Sequence, residues 1–126
     1  MPRDFAHLAA RAAVERLRPG MKVLIPPGCG EPTVLLTEIC AQSDRLRDLT
    51  LLAGIQLGDF GYALPEYAAL RAAVWQMSPR LTDARRRGRV EFVPVRYFDL
   101  MTEFVRGGHW APDCVIVHTA PADASG

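Results

Sequence analysis

The sequence predicts an α/β fold, an open and mainly parallel sheet of about four strands with helices on both faces. Two observations predict it. Short unbroken apolar runs, of the kind strands show when both faces are covered, recur along the 126 residues. Between them lie segments with helical apolar spacing, and that alternation is the pattern of parallel sheets.

Asp4 can cap a first helix that turns Phe5, Leu8, Ala12 and either Val14 or Leu17 inward, ending at Arg18-Pro19-Gly20. Val23, Leu24 and Ile25 form the first strand, which Pro26 and Pro27 stop because they carry no N–H donor. Gly28, Cys29 and Gly30 make a tight turn, where glycine permits a positive φ and lets the backbone pass close to a ligand. Glu31 and Pro32 open a helix over about 32–43, with Leu35, Leu36, Ile39 and Cys40 on one face. A second strand is expected over 49–57, with Gly54 a bulge or close-approach point, followed by a loop at 58–61. Pro65 and Glu66 start a helix carrying Tyr67, Leu70, Val74 and Met77 on one side, and a shorter helix covers 80–87 and stops at Gly88. A third strand follows at 90–95. Asp99 caps a helix with Leu100, Met101, Phe104 and Val105, closed by Gly107-Gly108, and a fourth strand occupies 114–118.

The length suits one α/β domain spanning 1–126. A net charge of +1 gives no argument for nucleic acid or an anionic membrane as partner, and no apolar run approaches a bilayer span. The first residues lack the apolar core of a secretory signal. Three widely spaced cysteines, Cys29, Cys40 and Cys114, suit reduced thiols in a cytoplasmic protein, and without a CxxC pair no metal site is expected. The chain stops soon after the fourth strand, where such sheets usually lead into another helix. The sheet is therefore expected to be incomplete.

The glycine turn at the end of a buried strand is the leading site candidate, since open α/β proteins bind ligands there. It is a poor dinucleotide fingerprint: Thr33 stands where a third glycine is required, and Glu31 would face the pyrophosphate. Glu31 reads either as a carboxylate that stiffens the turn or as a wall of a substrate pocket. The helix N-terminus favours its ionised form and makes it a weak nucleophile. Cys29 is a small turn residue, a pocket-lining thiol or, with a base within reach, a nucleophile. Arg85, Arg86, Arg87 and Arg89 fit a solvated helix end better than a phosphate site. Trp75, Tyr97 and Trp110 suit a core more than an adenine stack, and His118 an inner position.

Lys22-Val-Leu-Ile-Pro26 followed by Gly28-Cys29-Gly30-Glu31-Pro32 resembles the first strand and turn of the acetyl-CoA hydrolase/transferase family, which includes 4-hydroxybutyrate CoA-transferase-like members. The resemblance continues through Arg80, Arg89-Val-Glu-Phe-Val-Pro94 and Asp113-Cys-Val-Ile-Val-His118, and closes on Pro121, Asp123 and Gly126. It spans nearly the whole chain but only the first part of the family's N-terminal domain. It implies movement of CoA between an acyl-CoA and a carboxylate, or thioester hydrolysis, with coenzyme A as a substrate component and no separate cofactor. It further implies two similar α/β domains and a glutamate nucleophile in the second, which these 126 residues lack. By resemblance, Gly28, Cys29, Gly30, Glu31, Pro32 and Asp123 contact substrate, no catalytic residue lies in this chain, and a C-terminal half, on the same polypeptide or a second chain, completes the site; a homo-oligomer is the other assembly allowed. The other reading is a non-catalytic α/β module that keeps this scaffold and binds a ligand or partner.

Overall fold

The computed structural model describes residues 8–120. It shows a five-stranded, fully parallel sheet in the order β4-β3-β2-β1-β5. The strands are β1 (Lys22–Ile25), β2 (Thr50–Ala53), β3 (Arg71–Val74), β4 (Val90–Phe92) and β5 (Cys114–Val115). Among the described residues three α-helices accompany them: α1 (Ala10–Val14), α2 (Thr33–Ala41) and α3 (Thr82–Arg86). The α/β class and the open parallel sheet are as the sequence predicts. The sheet has one strand more than expected.

That extra strand is β3, in the stretch read as a helix. Only Pro65–Tyr67 makes a helical turn there. Leu70, Ala72, Ala73 and Val74 then form a buried run between β2 and β4. Their spacing also matches a helix face, and a short apolar run fits both periods. Pairing with β2 on one edge and β4 on the other, with both faces covered by packed side chains, decides it. The strand expected at 49–57 ends at Ala53, because Ile55 (50% exposed) and Leu57 (69% exposed) turn out into a loop. The strands expected at 90–95 and 114–118 pair only over β4 and β5. The helix expected after Asp99 is a single wide turn, Met101–Val105. Asp99 instead accepts a hydrogen bond from Arg96 Nε at 2.7 Å. The expected cap Asp4 lies outside the described residues.

Register sorts the side chains onto two faces. Val23, Leu51, Ala72 and Val90 share one row, and Ile25, Ala53 and Val74 another. Both rows point into the main core with Ile39 and Leu36 of α2, Val14 of α1 and Ala84 of α3. Leu24, Leu52 and Ala73 form the opposite row, covered by Trp75, Leu100 and Phe104. The chain steps from β1 to β4 in one direction across the sheet and then returns past β1 to β5. Right-handed crossovers place connections made in opposite directions on opposite faces. For this reason α2 and α3 lie on one face and the Met101–Val105 turn on the other. Among the described residues no helix is long and apolar enough to cross a membrane.

Candidate functional site

Parallel strands deliver their following loops to one edge of the sheet, and the strand order reverses between β1 and β5. The loop after β1 therefore stands beside the crevice where open α/β folds take ligands. Gly28–Gly30 forms one tight turn there. Gly28 adopts φ +62°, a conformation that side-chain-bearing residues rarely take. Its N–H donates to the Ile55 carbonyl at 2.7 Å. A Cβ on Gly30 would come within 3.0 Å of the Pro26 side chain, so this glycine answers a close approach.

Glu31 was expected within the first turn of the helix. It lies instead ahead of α2 in extended backbone (φ −60°, ψ 119°), and Pro32 holds the N-cap position rather than the first helical one. The Glu31 side chain is only 7% exposed and turns toward the loop after β2. Its Oε2 accepts the N–H groups of Leu57 at 3.1 Å and Gly58 at 2.9 Å. Its Oε1 accepts from Gln56 Nε2 at 3.4 Å, and Gln56 Oε1 in turn accepts from the Tyr62 hydroxyl. Burial, then the Glu31 charge, then Cys40 push the Tyr62 hydroxyl above its ordinary range, so it stays protonated and donating. A Cβ on Gly58 would lie 2.5 Å from Glu31 Oε1, so the carboxylate occupies the space a side chain would need.

The stitching extends to a third loop. Gln76, just past β3, accepts the Ile55 N–H at 2.9 Å on its Oε1. Arg80 places Nη1 3.5 Å from the Gly58 carbonyl and 4.0 Å from Asp59. Phe60 is held in the left-handed region at φ +52° and is buried, edge-on to Tyr62. A bulky residue held there carries strain, which its packing offsets. The loops after β1, β2 and β3 thus form one rigid rim.

Two recesses flank that rim. One, of about 180 Å³, lies between α2 and the 58–62 loop, with Glu31, Thr33, Thr37, Cys40 and Tyr62 on its walls. The other, of about 250 Å³, lies at the β1–β5 crevice, walled by Pro26, Pro27, Trp75, Leu100, Phe104 and Val115. The Trp75 ring meets Phe104 edge-on at 4.9 Å and rests on Gly54.

Of the residues singled out from sequence, the structure brings together Gly28, Gly30, Glu31 and Pro32, with Cys29 exposed at the tip of the turn. Asp123 lies outside the described residues. His109 sits at the far end of β1 from Cys29, since its carbonyl accepts from Lys22 Nζ at 2.6 Å at the start of that strand. It is therefore no base for that thiol. His118 is exposed and not the inner residue expected, because β5 ends at Val115 and the chain beyond runs along the surface. Sequence reasoning missed Gln56, Gly58, Tyr62 and Gln76. A lone glutamine in the apolar run Leu52–Leu57 was the one available signal for this network.

The fold and rim define an open parallel α/β domain with its ligand-type crevice at the β1–β5 reversal. No family model matches the chain, and no curated protein does. Among solved structures it is similar to RipA from Yersinia pestis, at TM-score 0.81 and 17% identity, over 94% of this chain and 30% of that one. Two RipA variants match at TM-scores 0.83 and 0.82, with 17% and 16% identity, each over 94% of this chain and 29% of the other. At that identity the likeness is one of fold. The chain spans about 30% of the length of the RipA chains it matches.

Proposed function

We propose that this chain builds one wall of an acyl-CoA site, as the N-terminal part of an acyl-CoA:carboxylate CoA-transferase or an acetyl-CoA hydrolase. The observation that carries the reading is the rim. The turn Gly28-Cys29-Gly30-Glu31-Pro32, whose residues resemble that family's, is locked by Glu31 to the loop after β2 beside the crevice. Glu31 is committed to backbone N–H groups, which leaves it a positioning carboxylate and not a nucleophile. The attacking glutamate comes from a second domain, carried either on the same polypeptide or on a partner chain. Coenzyme A enters as part of the substrate, with a carboxylate or water as acceptor.

The test is twofold. Calorimetric titration of the 126-residue chain with CoA and acetyl-CoA should show saturable binding that Gly30→Val weakens. Thiol release from acetyl-CoA should stay at background until a glutamate-bearing C-terminal domain is added. Turnover by the 126 residues alone would overturn the assignment of the nucleophile elsewhere. Absence of CoA binding would favour the other reading, a non-catalytic module on the same scaffold.

A further inference from the structure

We infer that the cleft at the β1–β5 crevice seats the aliphatic chain of the acyl group, an assignment that rests on the acyl-CoA reading above and names its specificity pocket. The cleft's walls are carbon: Pro26 and Pro27 on one side, Leu100 and Phe104 on another, Val115 at the rim and the Trp75 ring between. Apart from the Trp75 indole, Tyr97 is the one side chain with a polar atom on the lining.

The fold accepts two costs to hold that ring in place. The Trp75 Nε1–H is buried without an acceptor among the described residues, and unsatisfied buried donors are rare and costly. Residue 54 must be glycine, because a Cβ there would lie 2.6 Å from the same nitrogen. A tryptophan serving only as filler needs neither concession. A buried donor left unpaired calls for a specific explanation.

Size and position select the occupant. An apolar cavity of about 150 Å³ already accepts a benzene, and this cleft of about 250 Å³ has room for a chain of several methylenes. Pro26 and Pro27, which wall the cleft, lead directly into Gly28, so the cleft adjoins the glycine turn where the carbonyl end of the acyl group is proposed to lie. The recess on the other side of the rim is smaller, at about 180 Å³, and has the Glu31 carboxylate and the Thr33 and Thr37 hydroxyls on its walls.

Calorimetry with CoA, acetyl-CoA, butyryl-CoA and hexanoyl-CoA, beside free butanoate and hexanoate, tests the assignment. Each buried methylene is worth roughly a fourfold gain in affinity. Binding should therefore rise roughly 15-fold from acetyl to butyryl and again toward hexanoyl. Val115→Trp, at a half-exposed rim position, should flatten this gradient. Leu100→Phe, deeper in the cleft, should shorten the preferred chain. If CoA binds and chain length has no effect, the cleft assignment falls and the acyl-CoA reading stands. If the free acids show the gradient and CoA adds nothing, the cleft stands and the acyl-CoA reading falls. If none of the probes binds, both fall.

Discussion

The Oε2 atom of Glu31 lies 2.9 Å from the backbone nitrogen of Gly58, 27 residues further along the chain. It also accepts the Leu57 N–H, so one carboxylate oxygen fastens the loop after β2 to the turn after β1. Glu31→Ala removes the acceptor and leaves both donors unpaired in a part-buried loop. We predict a loss on the order of 2–4 kcal/mol, at about 1–3 kcal/mol for each abandoned donor with partial rescue by water. Glu31→Gln keeps an acceptor oxygen and should lose less than half of that. Urea denaturation checks both. Equal losses would show that charge, not the acceptor geometry, holds the loop.

Three glycines of similar appearance in sequence are predicted to behave differently. Gly54→Ala drives a Cβ to 2.6–2.8 Å from the indole of Trp75, a rigid ring already packed on Phe104. Overpacking of this kind costs about 1–3 kcal/mol, and the Trp75 fluorescence should shift with it. Gly58→Ala meets the Glu31 carboxylate at 2.5 Å and should weaken the rim by a comparable amount. At Gly61 a Cβ meets nothing within 4 Å, so Gly61→Ala should be nearly neutral or slightly stabilising. Melting temperatures of the three variants separate them. A Gly54→Ala protein as stable as Gly61→Ala would refute the tight Trp75 contact.

These contrasts mark the boundary of what the sequence shows by itself. The strand formed by Val23 to Ile25, the prolines that end it and the helix after Pro32 follow from local chemistry, and the structure has them. Leu70 to Val74 was not legible, because a short apolar run satisfies both periods until its neighbours β2 and β4 are known. The turn at Gly28–Gly30 could be found from its glycines. Its partner could not, since the Glu31–Gly58 bond joins residues brought together only by parallel pairing of β1 and β2. Gln56 and Tyr62 were hidden for the same reason.

The thiols should differ sharply in reactivity. Cys29 is exposed on the glycine turn, Cys114 is partly covered and Cys40 is buried. Burial, assisted by the negative charge of Glu66, pushes the Cys40 thiol up to about 11, and a protonated thiol does not attack. An aromatic disulfide reagent at pH 8 should therefore show a fast phase from Cys29 and release the Cys40 equivalent only on unfolding. Cys29→Ser should abolish the fast phase. Its persistence in that variant would place the reactive thiol elsewhere.

Alkaline pH should unfasten the same region. Cys40 rises from its ordinary 9.0 to about 11 in the folded chain, and Tyr62 also rises above its ordinary 10.0. The folded state therefore holds protons that the unfolded chain has begun to release. Where the native state binds more protons, stability falls as pH rises. The contribution from Cys40 is fully present below pH 9 and is lost as pH climbs through about 11. That from Tyr62 begins to fade above pH 10. Urea midpoints measured from pH 8 to pH 11 should hold level and then decline from about pH 9. Cys40→Ala should delay the onset of the decline toward pH 10. Tyr62→Phe should lower stability at every pH by leaving the Gln56 Oε1 without its donor, a cost of about 1–2 kcal/mol, and should make the decline above pH 10 shallower. A slope unchanged in both variants would mean that groups outside this network govern the alkaline transition.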